Sequence, residues 1–238
     1  MTEPASELWS FLPAEPLLWL VLTLGLYGLA LGIYNWAKRS PFLHPAVLCL
    51  LVLIPLLLLS ETTYADYFAG AQYLHMLLGP AIVALAIPVF DQRALIRRLW
   101  LPILSACMVG GTVAMVSAVG LTLALGGGSE LALAMAPKSV TTPMAIGIAE
   151  QIGAAPALAA GIVLLTGVSG CILAPLLFRW FPNTDAAAQG FAIGIAAHGF
   201  GTAQALQTSA LMGAMAGLAM ALTGVFTAFV LPLFVSLL

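Results

Sequence analysis

The chain has 238 residues, of which 62% are hydrophobic and only 7% are charged, and its formal net charge is −2. A soluble domain carries about 25% charged residues. With 7 basic and 9 acidic residues the chain cannot cover a water-exposed surface, so it is predicted to lie in a lipid bilayer. The composition also lacks the basic surface on which nucleic-acid binding depends, and we expect no nucleic-acid partner.

Eight apolar segments are long enough, or nearly long enough, to cross a bilayer, which takes about 20 helical residues. They lie at about 16–36, 43–60, 67–90, 99–125, 129–151, 156–180, 186–207 and 213–237. In the third segment, Pro80 is expected to break or kink the helix. We predict an all-α polytopic membrane protein, a single domain over residues 1–238. It has eight spans, or seven if the segment 129–151 dips into the membrane and returns.

The basic residues indicate the orientation of these spans. Lys38 and Arg39 follow the first segment, and Arg93, Arg97 and Arg98 follow the third. Positive charge concentrates in cytoplasmic loops, so both loops are predicted to lie on the cytoplasmic side. With eight spans, both termini then lie on the opposite face.

The fifth segment is interrupted by a polar cluster, the sequence PKSVTTP at 137–143. Proline lacks the helical N–H and restricts the residue before it, so Pro137 is expected to end one half-helix. Pro143 is a favoured first residue of a second half-helix, with Thr142 as its N-cap. Non-helical backbone at membrane depth is tolerated only where it lines a cavity or is buried in protein. The sequence therefore predicts a broken helix with an unwound centre.

Lys138 is the only charged residue that belongs neither to a loop nor to a span end. A lysine in hydrocarbon costs about 2.5–3.5 kcal/mol, and no intramembrane carboxylate is available to pair with it. Its charge is lost by deprotonation, solvated in a cavity or matched by an external anion. In the last case, the hydroxyls of Ser139, Thr141 and Thr142 and the positive end of the following half-helix complete a carboxylate site. The alternative is a loop that divides 129–151 into two short buried pieces.

A second polar group lies in the seventh segment, in the sequence AAHGFGTAQAL. Gly199 and Gly201 permit a close helix crossing or a local break. His198 and Thr202 are candidates for lining a substrate path, and a histidine is able to carry a proton near neutral pH. Alternatively the group only packs helices, with His198 bonded to a neighbouring carbonyl.

The sequence gives no sign of an enzyme, a cofactor or a metal site. It contains no phosphate-binding loop and no HExxH motif, and every carboxylate lies in a loop or near a terminus. The cysteines lack metal-ligand spacing and sit in apolar runs, which indicates a packing role for Cys49, Cys107 and Cys171. We therefore expect no catalysis and no metal.

Three stretches resemble the LrgB/CidB family of bacterial membrane proteins, from about residue 40 to the C-terminus. They are PKSVTTP at 137–143, the run from His198 to Ala203, and LLGPA at 77–81. The order and spacing agree with the family. The family often has an arginine where this chain has Gln204, and an acidic residue a few positions later, so we do not expect Gln204 to clamp an anion.

The resemblance implies a multi-pass protein of the bacterial inner membrane and two alternative functions. One is a holin/antiholin-like regulator of murein hydrolase export and autolysis, acting with a small LrgA/CidA-type membrane protein. The other is a carrier of small carboxylates, like the plastid protein that moves glycolate and glycerate and the bacterial members linked to pyruvate. A cationic broken helix favours the carrier, whereas a pore-forming homo-oligomer would use small-residue faces such as Gly213–Gly217.

Overall fold

The computed structural model describes residues 14–180 and 185–236, and all regular elements within these ranges are helices. The all-α prediction is confirmed. The chain divides into two compact units, Met1–Ala84 and Leu85–Leu238. The sequence does not predict this division.

The first unit contains three helices in its described part. They are α1 (Ala14–Trp36), α2 (Pro45–Leu59) and α3 (Tyr64–Ala84), with a short 3-10 helix at Pro41–Leu43. Helix α1 packs against both of the others, and the rings of Trp19 and Tyr67 meet edge to face at 6.0 Å. Before α2, Nδ1 of His44 accepts a hydrogen bond from the Ala46 N–H at 3.3 Å. This bond satisfies one of the free N–H groups in the first turn of α2.

The second unit contains the remaining helices. They are α4 (Ala86–Asp91), α5 (Arg93–Arg98), α6 (Trp100–Ala124), α7 (Ser129–Met135), α8 (Thr142–Ile152), α9 (Pro156–Trp180), α10 (Ala186–Thr208) and α11 (Ala210–Val235). Helix α11 is central and packs against α4, α6, α8 and α10. Its residues 212–217 are all buried, and most of them are glycine or alanine, which allow helices to approach closely.

The predicted count of seven or eight spans is not confirmed. Within the described ranges, five helical segments are long and apolar enough to cross a membrane: Pro16–Trp36, Tyr64–Asp91, Trp100–Ala124, Pro156–Trp180 and Ala210–Val235. Helix α2 has 15 residues, about 22 Å at 1.5 Å per residue, which is less than the hydrocarbon thickness of about 30 Å. The predicted segments 129–151 and 186–207 are both divided by breaks.

Of the break or kink predicted at Pro80, the break is wrong. Helix α3 continues through Pro80 to Ala84, because one missing hydrogen bond bends a long helix without ending it. The interruption comes at Leu85, where α4 starts afresh. Pro88 lies in the first turn of α4, where the N–H that proline lacks would have no intrahelical partner.

Candidate functional site

The first helix break lies between α7 and α8. Helix α7 has 7 residues and α8 has 11, or about 10 and 16 Å, so neither crosses a membrane alone. Pro137 lies in the break and Pro143 in the first turn of α8. The N-cap is Thr141 and not Thr142 as predicted. Proline is tolerated one position later than predicted because none of the N–H groups in the first turn has an intrahelical partner.

Lys138 is half-buried in this break. Its Nζ lies 3.4 Å from Ser139 Oγ, and it forms no ion pair with a carboxylate of the described residues. Ser139 is only 3% exposed, and Thr141 makes no side-chain capping bond. The break therefore holds an ammonium group that has no carboxylate partner among the described residues, shortly before the start of α8 in the sequence.

The second break is at His198, within α10. His198 has φ 40° and ψ −125°, a backbone conformation that costs a residue with a side chain about 1–3 kcal/mol. A methyl group at Gly201 would lie 2.6 Å from the carbonyl oxygen of Ile193. In a straight helix these residues would be about 12 Å apart along the axis. Helix α10 therefore folds back on itself at His198.

The break predicted at Gly199 and Gly201 is thus shifted to the preceding residue. Both glycines keep helical backbone angles, and the positive φ falls on His198. The missing side chain of Gly201 instead lets the second arm of α10 lie against Ile193 in the first arm. Gly201 therefore allows close packing, whereas His198 is the residue with the strained backbone torsion angles.

Contacts with α11 establish the direction of the two arms. In the first arm, Gly190 meets Met212 and Gly194 meets Ala216, so this arm runs parallel to α11. In the second arm, Thr202 meets Gly217 and Leu206 meets Gly213, so this arm runs antiparallel. Helix α10 is therefore a helical hairpin, which we call the α10 hairpin, with its tip at His198.

The tip of the α10 hairpin is fixed to α9. His198 Nε2 lies 3.0 Å from the Val163 carbonyl oxygen, which can only accept, so Nε2 carries the proton and donates. Thr202 Oγ1 donates to the His198 carbonyl oxygen at 2.8 Å. A methyl group at Gly167 would lie 2.7 Å from the Phe200 ring and 2.9 Å from His198 Cε1. Because Gly167 has no side chain, the hairpin tip can pack directly against the backbone of α9.

A cavity on α9 is bordered by the first break and by the first arm of the α10 hairpin. The cavity has a volume of about 410 Å³, and its lining includes Met135, Lys138, Ile162, Thr166, Ser169 and Ala196. Lys138 comes from the first break, and Ala196 lies two residues before the hairpin tip. The fold thus brings together two polar groups that are 60 residues apart in the sequence.

The predicted site residues contribute to this cavity unequally. Lys138 lines it, but the other predicted binding residues do not: Ser139, Thr141, Thr142, His198 and Thr202. Of these, Ser139 is 3% exposed, and His198 and Thr202 are each 2% exposed. Two lining hydroxyls on α9, Thr166 and Ser169, were not predicted. Their spacing of three residues, flanked by glycines in the sequence LLTGVSG, is the signal that could have identified them, since residues at i and i+3 share a helix face.

Gln204 has a structural partner in the second unit. Its Nε2 donates to the Cys171 carbonyl oxygen at 3.1 Å. In a regular helix that carbonyl accepts from residue 175, but Pro175 lacks the N–H. Gln204 therefore supplies the missing hydrogen-bond donor and connects α9 to the second arm of the α10 hairpin. Its Oε1 has no hydrogen-bond partner among the described residues.

The small-residue face at Gly213–Gly217 lies inside the chain. All five of its residues are buried. Gly213 packs on Leu206, and Gly217 packs near Thr202 and Leu85. A second copy of the chain would have to bind through a different surface, such as the exposed side of α6 at Met108, Val109, Val113 and Val116.

Comparison with known proteins gives a consistent result. The model of the LrgB-like family matches residues 23–237. The chain is 35% identical over 218 residues to the uncharacterized protein YxaC of Bacillus subtilis, covering 91% of this chain and 94% of that protein. It is 29% identical over 219 residues to the antiholin-like protein LrgB of Bacillus mycoides, covering 92% and 95% respectively. No solved structure matches the chain.

Proposed function

We propose a carrier function for this chain, which belongs to the LrgB-like family: it transports small organic anions of the pyruvate or glycolate type across a membrane. The observation that carries the proposal is Lys138. It lines a cavity on α9, next to the first arm of the α10 hairpin, and has no carboxylate partner among the described residues. Polar residues of this kind within a membrane normally face a substrate path or a partner.

The helix starts at the two breaks support an anionic substrate. Helix α8 begins at the first break, and the second arm of the α10 hairpin begins at the second. A helix N-terminus carries free N–H groups and a partial positive charge. Secondary transporters bind substrate carboxylates at such half-helix N-termini near the bilayer midplane. Lys138, Ser139, Thr141 and Thr142 are the proposed carboxylate ligands.

We propose that His198 and Thr202, which do not line the cavity, act further along the substrate path. The hydrogen bond to Val163 leaves Nδ1 of the neutral imidazole as the atom that can accept a proton. A proton taken up there would couple transport to the proton gradient. Thr202 keeps the hairpin tip in place through its bond to the His198 carbonyl.

We also propose the location and the partners of the carrier. It is proposed to be a multi-pass protein of the bacterial inner membrane, without catalytic activity, cofactor or metal. A small LrgA/CidA-type membrane protein is its proposed partner, and self-association is proposed to use lipid-facing helix surfaces. The apolar helices support the membrane setting.

A second candidate function rests on the names of relatives. Several Bacillus relatives are named antiholin-like protein LrgB, which favours a regulator of murein hydrolase export or activity acting through membrane oligomers. Such a regulator needs an outward-facing association surface and does not need Lys138. The two candidates therefore differ in how they depend on that residue.

The test is uptake of labelled pyruvate, glycolate and lactate by proteoliposomes, with and without the small partner. Saturable uptake that Lys138→Ala abolishes supports the carrier. Lys38→Ala is the matched control, because Lys38 is the other lysine of the chain and lies in a loop of the first unit. Absence of saturable uptake in every combination, together with release of larger dyes, would overturn the carrier and favour the antiholin-like candidate.

A further inference from the structure

The cavity has a second polar wall that the proposed carboxylate ligands do not include. Thr166 and Ser169 lie three residues apart on α9 and both line the cavity that Lys138 lines. Gly170 lies beside them, also in the lining. The remaining wall is apolar, with Met135 and Ile162. Lys138 and two hydroxyl groups of α9 thus line the same cavity.

The two hydroxyls have different hydrogen-bonding capacity. Ser169 Oγ donates to the Leu165 carbonyl oxygen, so its lone pairs stay available to accept from a ligand. Thr166 Oγ1 makes no hydrogen bond with any described residue, although the side chain is half-buried. It can donate to a carbonyl oxygen or accept from a hydroxyl. Together they can serve either a hydroxyl or an oxo group.

We infer that Thr166 and Ser169 determine specificity by binding an oxygen on carbon 2 of a short carboxylate whose carboxyl group lies at Lys138. This inference rests on the proposed carrier function. The cavity, at about 410 Å³, is within the size range of small-molecule sites. It contains one cationic side chain, so a single carboxylate is matched in charge and a second would remain unpaired. Thr166 and Ser169 are therefore the inferred contacts for the 2-hydroxy or 2-oxo group of the proposed monocarboxylate substrates.

This assignment makes a prediction about competing substrates. A site that hydrogen-bonds a substrate hydroxyl discriminates against the analogue that lacks it, because its own polar groups then lose a partner. Unlabelled lactate, glycolate and pyruvate should compete with labelled pyruvate at lower concentrations than propionate and acetate. The comparison of lactate with propionate isolates the 2-hydroxyl group.

The variants test whether the α9 hydroxyls cause this preference. Thr166→Val keeps the side-chain shape and removes the hydroxyl, and one hydrogen bond corresponds to a change of about 2- to 10-fold. It should raise the half-saturating lactate concentration by about that factor and leave propionate unchanged, while Thr166→Ser should keep the preference. Ser169→Ala should act in the same direction. Ser117→Ala is the control, because Ser117 is an exposed helical serine with a similar backbone bond, to the Ala114 carbonyl oxygen.

Three outcomes would overturn the inference. If the wild type transports lactate and propionate equally well, it does not recognise the oxygen on carbon 2. If Thr166→Val raises the half-saturating concentration of both substrates equally, or of neither, the Thr166 hydroxyl does not discriminate between them. The carrier function is not affected by that result. Wild type without saturable uptake of any monocarboxylate removes the carrier function and this inference with it.

Discussion

The imidazole Nε2 of His198 lies 3.0 Å from the carbonyl oxygen of Val163. This bond ties the tip of the α10 hairpin to α9, close to the cavity that contains Lys138. The residue that makes the bond is also the residue with the strained backbone. Strained residues persist only where surrounding contacts hold them and are concentrated at functional sites. The hairpin tip is therefore a part of the second unit where tertiary contacts hold a strained backbone in place.

Replacement of His198 should reverse the usual order of alanine and glycine in helices. Within a helix, glycine is about 0.5–1 kcal/mol less stable than alanine. At φ 40° the strain of about 1–3 kcal/mol falls on alanine and not on glycine. We expect His198→Gly to melt at a higher temperature in detergent than His198→Ala, and both to lose uptake. An alanine variant as stable as the glycine variant would show that the backbone at this position is not strained.

Gly167→Ala should destabilise the second unit and displace the hairpin tip. The added methyl group would lie 2.7 Å from the Phe200 ring and 2.9 Å from His198 Cε1, and overpacking costs about 1–3 kcal/mol. Thermal unfolding in detergent and uptake should both show the loss. Gly161→Ala is the matched control on α9, because nothing lies within 4 Å of the added methyl group. Equal melting temperatures for the two variants would contradict the packing at Gly167.

A double-mutant cycle tests the bond between Gln204 and Cys171. Gln204→Leu leaves the Cys171 carbonyl without its donor, at a cost of about 1–3 kcal/mol. Pro175→Ala restores the helical N–H that can bond to the same carbonyl. We expect Gln204→Leu to cost about 1 kcal/mol less when Pro175→Ala is also present. Strictly additive effects on the free energy of unfolding would mean that Gln204 does not substitute for the missing helical donor.

Lys138→Met should separate stability from transport. The ammonium group is half-buried and has no carboxylate partner, so its replacement by an apolar side chain should raise the melting temperature while uptake is lost. Pyruvate should stabilise the wild type against heat and leave Lys138→Met unaffected, because only binding to the folded state stabilises it. Lys38→Met serves as the control. A less stable Lys138→Met variant would indicate a structural role for the lysine.

The sequence alone predicted the elements that depend on local chemistry. Composition requires a membrane environment, and Pro137 with Pro143 predicts a break between two half-helices because proline acts on its own hydrogen bond and on its neighbours. The same local reasoning misplaced the break at Pro80, which α3 passes through. Whether one missing bond ends a helix or only bends it depends on the packing around it.

Tertiary structure determined the fold-back of α10 and the composition of the cavity. The fold-back of α10 at His198 depends on contacts of Gly201 with Ile193 and of the tip with Val163, and no pattern within the segment specifies such partners. The hydroxyls of α9 line the same cavity as Lys138 only because α9 packs against both α7 and the α10 hairpin. Hydropathy and proline positions act over a few residues, whereas a binding cavity is formed by side chains that become neighbours only when distant helices pack together.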